Sequence, residues 1–305
     1  MKKIAITGAT GFVGNFVANY LESKGYEIYR FGRKKKEGII NWDITTKGFK
    51  PSVAFDVVVH CAAHVTDWSS YKDFYTTNVV GTKNVLEAFS QAETFLYISS
   101  ASVYNPICQE NIINENTCVG GNNLNNYGKT KLLGEKEVEK SNYKSKIILR
   151  PHIIYGPNDT AIGPRIKKAI KHNYLIIPGD GNNHISFTHV ENLSEAIYLS
   201  ILRSPSGTSI YNITDTEAPI FNEAVEAFKK LNNLNFKNFY LPKSISFLIA
   251  RIFEFIYLAL SLKKAPPLTP YIVRQMTGDH ILDISKAVKE LHYSPKRNYK
   301  KDFYV

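Results

Sequence analysis

A glycine-rich loop near the N-terminus constrains the fold of this chain more than any other feature. Residues 7–14 read Thr-Gly-Ala-Thr-Gly-Phe-Val-Gly and directly follow a short apolar run at 3–7. A strand that ends in such a loop and leads into a helix is the arrangement that binds a dinucleotide pyrophosphate. The glycines let the backbone approach the phosphates, and the helix N-terminus supplies N–H donors. We therefore predict cofactor contacts from Gly8, Thr10, Gly11, Phe12, Val13 and Gly14.

Short apolar runs alternate with segments of helical period through the first half of the chain. Strands are predicted at 3–7, 27–31, 55–60, 94–99 and 146–149. Helices are predicted between them, at 11–23, 71–90 and 127–140. This alternation is typical of a parallel sheet with crossover helices. The predicted fold class is therefore α/β, with a Rossmann-type doubly wound parallel sheet.

Prolines and glycines interrupt this regularity beyond residue 150. We predict a Rossmann dinucleotide-binding domain at 1–155 and a smaller C-terminal substrate-binding lobe at 156–305. A predicted strand at 209–213 lies between predicted helices at 192–202 and 220–231. Segments within about 185–215 are expected to return to the first domain.

The formal net charge of +11 favours anionic partners such as phosphates. The longest lysine run covers only residues 34–36, and no basic stripe is interleaved with stacking aromatic side chains. We therefore expect a small-molecule substrate and no nucleic-acid partner.

The three cysteines, Cys61, Cys108 and Cys118, are odd in number and include no C-x-x-C pair. This spacing indicates neither a disulfide framework nor a zinc site, and no metal is expected. The glycine loop interrupts the first apolar run after three residues, so we expect no export signal. A reducing, cytoplasmic location fits these features best.

The segment 245–262 is dominated by apolar residues and approaches the length of a membrane span. Arg251 and Glu254 interrupt it and would share one face of a helix, where they could pair. A helix packed in the protein, or covering an apolar pocket, is favoured. Peripheral membrane contact through this segment is the alternative.

The end of the second predicted strand indicates which dinucleotide binds. An acidic residue there would accept hydrogen bonds from the adenosine ribose, but the sequence has Arg33 instead. An arginine at this point can hold a 2′-phosphate. We therefore predict a preference for NADP, with NAD as the alternative if Arg33 belongs to a solvated loop.

Hydroxyl side chains and a Tyr/Lys pair indicate the chemistry. Residues 99–104 place serines at the end of a predicted strand, and Tyr127 lies four residues before Lys131 on a predicted helix. An ammonium group near the phenol would lower its pKa from about 10, so that the phenol transfers a proton near neutral pH. A Y-x-x-x-K match alone is weak, and an exposed helix face is the alternative. The order of glycine loop, serine-rich strand end and Tyr/Lys helix supports the catalytic interpretation.

These motifs resemble those of the extended short-chain dehydrogenase/reductase family, which includes NAD-dependent epimerases/dehydratases and 3β-hydroxysteroid dehydrogenase-like enzymes. The resemblance covers nearly the whole chain and also rests on the segments 56–63, 78–85 and 150–157. It implies that Tyr127 is the general acid/base, that Lys131 holds the ribose and tunes Tyr127, and that Ser100 hydrogen-bonds the reacting oxygen. Ser99 and Ser102 compete with Ser100 for that role.

The resemblance also implies supporting and cofactor-binding residues. Asn78 supports the active site, and Asp43 and Ile44 lie near the adenine. The cofactor is also contacted by small residues after the fourth strand, namely Cys61, Ala62 and Ala63. It is further contacted by the segment after the sixth strand, through Pro151, Ile153 and Ile154. It further suggests a homodimer formed through the helices at 71–90 and 127–140.

The C-terminal half is more similar to the steroid dehydrogenase-like branch, notably at 241–242, 266–269 and 283–287. That similarity implies an oxidoreductase that interconverts an alcohol and a ketone on a hydrophobic, steroid-like or 3-oxoacyl-like substrate. A sugar-nucleotide epimerase or reductase is the alternative. Ala101 and Ser102 stand where 4,6-dehydratases carry acids, which argues against a dehydratase. A non-catalytic NADP-sensing regulator is a further alternative, although a sensor needs neither Tyr127 nor Lys131.

Overall fold

The computed structural model describes residues 1–66, 68–106, 112–121, 124–260, 262 and 264–304. The strands in these residues are β1 (Lys3–Thr7), β2 (Glu27–Gly32), β3 (Ile39–Asn41), β4 (Val57–His60), β5 (Thr94–Ile98), β6 (Ser145–Pro151), β7 (Ile154–Tyr155), β8 (Tyr174–Pro178), β9 (Thr188–His189), β10 (Gly207–Ile213) and β11 (Lys237–Leu241).

The α-helices are α1 (Phe12–Ser23), α2 (Tyr71–Tyr75), α3 (Gly81–Ala88), α4 (Asn126–Lys140), α5 (Ile162–Ala169), α6 (Val190–Arg203), α7 (Phe221–Leu231), α8 (Lys243–Ala259), α9 (Pro270–Thr277), α10 (Ser285–Leu291) and α11 (Tyr299–Asp302). A π-helical segment, Thr76–Val80, joins α2 to α3, and a 3₁₀ turn, Ala101–Val103, follows β5.

Seven strands form one parallel sheet in the order β10-β6-β5-β4-β1-β2-β3. The chain progresses outward in one direction from β1 and in the other from β4. The carboxyl ends of these two strands therefore border the crevice where open α/β sheets bind ligands. The predicted α/β class and Rossmann-type doubly wound sheet are confirmed. β3 was not predicted, because three residues are too few to show a period.

The strands are apolar along their whole length because both faces of the sheet are covered. Ile4 and Ile6 belong to a cluster with α1, α6 and α10 on one face. Ala5, between them, belongs to a cluster with α3 and α4 on the other face. The period of two in a strand assigns alternate residues to opposite layers. Helices on both faces thus hold the sheet edge that carries the candidate site.

The C-terminal half contributes to the main sheet and also forms smaller clusters. β10 pairs with β6 from Gly207 to Ile213. β8 and β11 form a separate two-stranded sheet whose buried residues pack on α7. β10 thus forms one edge strand of the seven-stranded sheet. The boundary at 155 remains a prediction.

The predicted helix at 71–90 contains a π-helical turn that sequence reasoning did not foresee. The turn places Asn78 in the interior, with 1% of its surface exposed. Such single π turns are frequent at functional sites because they redirect one side chain out of the helical register.

Two expectations about particular side chains are wrong. Cys118 is disulfide-bonded, while Cys61 is a free thiol and Cys108 lies outside the described residues. Disulfide formation depends on which Cβ atoms the fold brings together, and an odd cysteine count does not prevent it. Arg251 and Glu254 form no ion pair in the described part of the chain, and Arg251 is exposed.

A buried ion pair connects α4 to β6. Arg150 donates to Glu135 through Nη2 at 2.7 Å and Nε at 3.0 Å, and Ser99 donates to Glu135 at 2.5 Å. Arg150 also donates to the Tyr104 hydroxyl at 3.2 Å. Burial alone would lower the pKa of Arg150, but the hydrogen bonds and charge of Glu135 outweigh burial and raise it. The bonds between Glu135 and Arg150 therefore fix α4 against the sheet.

Replacing Glu135 by Ala leaves the Arg150 cation buried without its carboxylate. We expect Glu135→Ala to lower the free energy of unfolding in urea by about 3–5 kcal/mol. The matched control is Glu137→Ala, which breaks a more exposed pair with Lys83 at 3.5 Å and should cost less than about 1 kcal/mol. Equal losses for the two variants would contradict the role assigned to the buried pair.

Candidate active site

The glycine loop has the geometry that a pyrophosphate site requires. Gly8 has φ +69°, and a Cβ atom there would lie 2.7 Å from the backbone nitrogen of Ala62. A Cβ atom on Gly14 would lie 2.3 Å from the carbonyl oxygen of Gly8. α1 begins after Gly11 without a side-chain cap and without an acid in its first turn. Its first N–H groups and partial positive charge thus suit a phosphate.

The remaining loop residues line the same turn. Thr10 is exposed and lies against Gly32 at the end of β2, because a Cβ on Gly32 would be 2.9 Å from the Thr10 Cγ2. Phe12 and Val13 are half-buried in the first turn of α1. The structure therefore brings the predicted loop residues together around the start of α1.

Two arginines near the end of β2 have different surroundings. Arg30 donates two hydrogen bonds of 2.7 Å to Glu22, so its guanidinium is occupied. Arg33 is exposed just beyond the strand and forms no ion pair within the described residues. Burial would raise the pKa of Asp43, but hydrogen bonds from Thr45 and the charge of Arg33 lower it. Arg33 and Asp43 therefore lie close enough to influence each other.

The loop after β4 passes the glycine turn. Cys61, Ala62 and Ala63 are all half-buried, and Ala62 makes the close approach to Gly8. Burial raises the pKa of the Cys61 thiol to about 12, although the charge of Lys131 opposes this. Cys61 is therefore a packing residue, not a reactive thiolate. Ile44 is buried, and its side chain would meet a Cβ on Gly81 at 2.7 Å, so its side chain faces the core.

The segment after β6 contains a backbone that few residues adopt. Pro151 is the last residue of β6, and Ile154 begins β7. Ile153 between them has φ +40°, which is rare for a β-branched residue. The Ile153 carbonyl accepts a hydrogen bond from the Thr188 N–H at 3.2 Å. Strained backbone of this kind clusters at ligand-binding segments. The position of Ile153 beside the cofactor stays a prediction.

The structure distinguishes the three candidate serines. Ser99 is buried and donates to Glu135, so its hydroxyl faces the ion pair between α4 and β6. Ser100 is half-buried, hydrogen-bonds Ser102 and lies close enough to Tyr127 to act on its pKa. Ser102 lies 3.0 Å from the Tyr271 hydroxyl. Of the three serines, Ser100 is therefore the one beside Tyr127, and its predicted role on the reacting oxygen stays a prediction.

Burial dominates the acidity of Tyr127. It raises the pKa of Tyr127 to about 12, while the hydrogen bond to Ser100 and the charge of Arg165 act to lower it. The expected lowering by Lys131 does not occur in this structure. The Lys131 ammonium donates instead to the Ile98 carbonyl at 2.5 Å and lies 4.3 Å from the centre of the Tyr97 ring.

Lys131 is itself shifted by its surroundings. Burial lowers the pKa of Lys131 to about 7, although the charges of Glu135 and Cys61 act to raise it. A lysine with this pKa is a proton donor and acceptor near neutral pH. Tyr127 and Lys131 thus occupy one low-dielectric pocket at the start of α4, in which both charged forms are disfavoured.

Asn78 connects the loop after β4 to α4. Its Oδ1 accepts from the His64 N–H at 2.7 Å, and its Nδ2 donates to the Thr130 hydroxyl at 3.1 Å. Thr130 immediately precedes Lys131 and bonds back to the Tyr127 carbonyl at 3.0 Å. Asn78 therefore positions the turn of α4 that carries both residues.

Sequence reasoning missed Tyr271 and His152. Tyr271, on α9, reaches Ser102 from a segment with no local motif. His152 is buried after β6, and burial lowers its pKa to about 4, so the ring is neutral. Its Nδ1 lies 2.9 Å from the Ser186 carbonyl. The position of His152 directly after Arg150-Pro151 could have indicated a site residue from the sequence. The position of Tyr271 could be found only from the tertiary structure.

Comparison with known proteins agrees with this geometry. The sequence profile of the NAD dependent epimerase/dehydratase family matches residues 4–214. A 2-alkyl-3-oxoalkanoate reductase of Stenotrophomonas maltophilia (strain K279a) is 27% identical over 320 residues, covering 96% of this chain and 95% of the relative. A decarboxylating sterol-4-alpha-carboxylate 3-dehydrogenase of Dictyostelium discoideum is 25% identical over 335 residues, covering 98% of each chain.

The fold is shared with solved structures. The UDP-glucuronic acid 4-epimerase from Bacillus cereus in complex with NAD superimposes with a TM-score of 0.71 at 21% identity, covering 99% of this chain and 94% of that chain. The sheet and the glycine loop define a nicotinamide-dinucleotide-dependent enzyme. Because the family profile spans more than half of the sequence, the chain belongs to the NAD-dependent epimerase/dehydratase family, of the extended short-chain dehydrogenase/reductase type.

The close approach at Gly8 gives a test of the cofactor site. Gly8→Ala would force the loop away from Ala62, so we expect the Kd for NADPH or NADH to rise by about tenfold or more. Gly25→Ala is the matched control, because Gly25 also has a positive φ, +86°, but nothing within 4 Å of its Cβ position. Titrations that follow nicotinamide fluorescence measure the Kd values of both variants. An equal rise in Kd for the two variants would show that backbone strain at a positive φ, and not the contact with Ala62, weakens cofactor binding.

Proposed function

We propose that this enzyme interconverts a secondary alcohol and a ketone on an apolar carboxylic acid whose oxygen-bearing carbon is β to the carboxylate. The observation that carries the proposal is that Ser100 lies beside Tyr127, which is one helical turn from Lys131, at the same sheet edge as the glycine loop. The names of two relatives that match almost the whole chain support the substrate class. A 2-alkyl-3-oxoalkanoate and a sterol-4-carboxylate oxidised at carbon 3 share this β relationship.

Each candidate residue has a role that follows from its contacts. A bound nicotinamide cofactor would supply the hydride to the ketone or accept it from the alcohol. In the reducing direction the ketone takes up this hydride and one proton to give the alcohol, and the reverse direction releases both. Tyr127 donates that proton to the reacting oxygen or removes it, and Ser100 hydrogen-bonds the same oxygen. By the family resemblance, Lys131 would hold the cofactor ribose and, when charged, would favour the phenolate; here its ammonium donates to the Ile98 carbonyl. Asn78 positions α4 through Thr130.

A cation near Tyr127 suits a carboxylated substrate. The charge of Arg165, on α5, acts on Tyr127 and opposes the effect of burial on its pKa. α5 also carries Lys167 and Lys168 in its last turn. A carboxylate two carbons from the reacting oxygen would meet this positive field while its apolar part lies elsewhere in the cleft.

A sugar-nucleotide substrate is the second candidate, because the same basic residues of α5 suit a diphosphate. The UDP-glucuronic acid 4-epimerase shares the fold, but at 21% identity it supports no more than the fold. A regulator that senses NADP without catalysis is a third candidate, which the Ser100–Tyr127 contact disfavours.

We expect Tyr127→Phe to bind NADPH normally and to lose turnover by about a hundredfold or more, because only the transferable proton is removed. The reaction is followed as NADPH oxidation with a 2-alkyl-3-oxo acid and a steroid 3-ketone, and by analysis of the sugar products with a UDP-sugar, because epimerisation leaves the cofactor unchanged overall. Tyr71→Phe, at an exposed tyrosine of α2, is the control and should be unchanged. Turnover of the UDP-sugar alone would favour the second candidate, and no turnover of any substrate would favour the regulator.

We further propose a preference for NADP(H) through Arg33. Arg33→Ala should raise the Kd for NADPH by about tenfold and leave that for NADH nearly unchanged, because a charge-assisted contact with the 2′-phosphate is lost. Arg30→Ala is the matched control, since the Arg30 guanidinium is held by Glu22. Equal changes in both Kd values for Arg33→Ala would show that Arg33 does not read the 2′-phosphate.

A further inference from the structure

One face of α8 is packed on the protein. Ser246 and Ala250 are buried. The Tyr257 ring meets the Trp68 ring edge-on, with centroids 6.2 Å apart. Just beyond α8, the Leu262 carbonyl accepts a hydrogen bond of 3.0 Å from Trp68 Nε1. These contacts fix the orientation of α8, so its opposite face is held outward.

The outward face is an apolar stripe. It repeats at intervals of three and four residues, which is one side of an α-helix, and consists of Ile245, Leu248, Ile252, Phe255 and Ile256. Phe255 is 73% exposed and Leu248 is 61% exposed. Exposed side chains continue beyond the stripe at Leu258, Leu260 and Leu262. A contiguous apolar surface of this kind marks an interaction site.

The charges around the stripe indicate which partner covers it. Between residues 243 and 264 the sequence has one acid, Glu254, against four cations, Lys243, Arg251, Lys263 and Lys264. Lys243, Arg251 and Lys264 are exposed, whereas Glu254 is half-buried. Two copies of such a surface would bring like charges together. A surface that combines acyl chains with negative headgroups would instead complement both the apolar and the cationic side chains.

We propose that the stripe of α8 docks the protein on the surface of an anionic lipid bilayer, with the helix lying parallel to the membrane. Among the residues that the structure describes, no helix is both long and apolar enough to cross a bilayer. Attachment in the interface requires only the apolar face and the surrounding cations. This inference does not depend on the proposed substrate.

The position of α8 gives the attachment a consequence for access to the cleft. α8 packs beside α9, and α9 carries Tyr271, whose hydroxyl lies 3.0 Å from Ser102. Trp68, which holds Leu262, lies in the loop after β4 that also carries Ala62. Docking through α8 therefore brings the elements around the cleft close to the bilayer, where an apolar ligand is concentrated.

Flotation of the purified full chain with lipid vesicles tests the proposal. We expect the protein to float with vesicles of phosphatidylcholine and phosphatidylglycerol in equal parts, and several-fold less with phosphatidylcholine alone. Raising the salt concentration should release part of the bound protein, because it screens the cations. Absence of flotation with the mixed vesicles would overturn the proposal.

Variants of exposed side chains identify the surface. Leu248→Ser combined with Phe255→Ser should reduce vesicle binding by about tenfold or more, while Arg251→Glu should reduce binding only to the anionic vesicles. The control is Leu202→Ser combined with Val288→Ser, at positions 55% and 45% exposed on α6 and α10, which should bind like the parent. The melting temperature verifies that each variant is folded. Equal binding by all variants would overturn the proposal.

Light scattering without lipid tests whether a second copy of the chain, and not lipid, covers the stripe. A monomer, or a dimer whose mass the Leu248/Phe255 double variant leaves unchanged, is expected if lipid covers the stripe. A dimer that this double variant converts to a monomer would overturn the proposal, because a second copy would then cover the stripe.

Discussion

The buried ion pair between Glu135 and Arg150 determines where the candidate active site lies. It connects the middle of α4 to the end of β6 and also binds Ser99 at the end of β5. In a low-dielectric interior each charge requires the other, so the two elements cannot separate without leaving a charge unpaired. Because Lys131 lies one turn before Glu135 on α4, this pair fixes the Tyr/Lys helix against the carboxyl edge of the sheet.

The same burial that fixes the helix sets the acidity of its side chains. Desolvation lowers the pKa of Lys131 to about 7 and raises the pKa of Tyr127 to about 12. Burial therefore shifts both groups toward their neutral forms, and a neighbour that stabilises charge opposes this shift. Ser100 is such a neighbour, since its hydrogen bond opposes the effect of burial on Tyr127. The proton chemistry thus depends on groups that touch the phenol, not on the Y-x-x-x-K spacing alone.

Apolar residues serve two purposes in this chain. In the sheet they alternate between two covered faces and stabilise the fold through burial. In α8 only one face is covered, and large side chains such as Phe255 remain exposed. Composition does not distinguish these uses, because both segments are simply apolar in sequence. Their different surroundings in the folded chain separate a structural helix from an interaction surface.

The sequence by itself determined the α/β sheet, the glycine turn and the family, because these follow from short-range periodicity and from glycines whose lack of a Cβ is needed locally, as at Gly8 and Gly14. The existence of most elements of the first half was predictable for the same reason. Only the tertiary structure decided that Ser99 faces Glu135 while Ser100 faces Tyr127, since adjacent serines on a strand end point to opposite sides. It also decided the π turn at Asn78, the acidity of Lys131 and the approach of Tyr271, because burial and long-range contacts between distant segments leave no local pattern in the sequence.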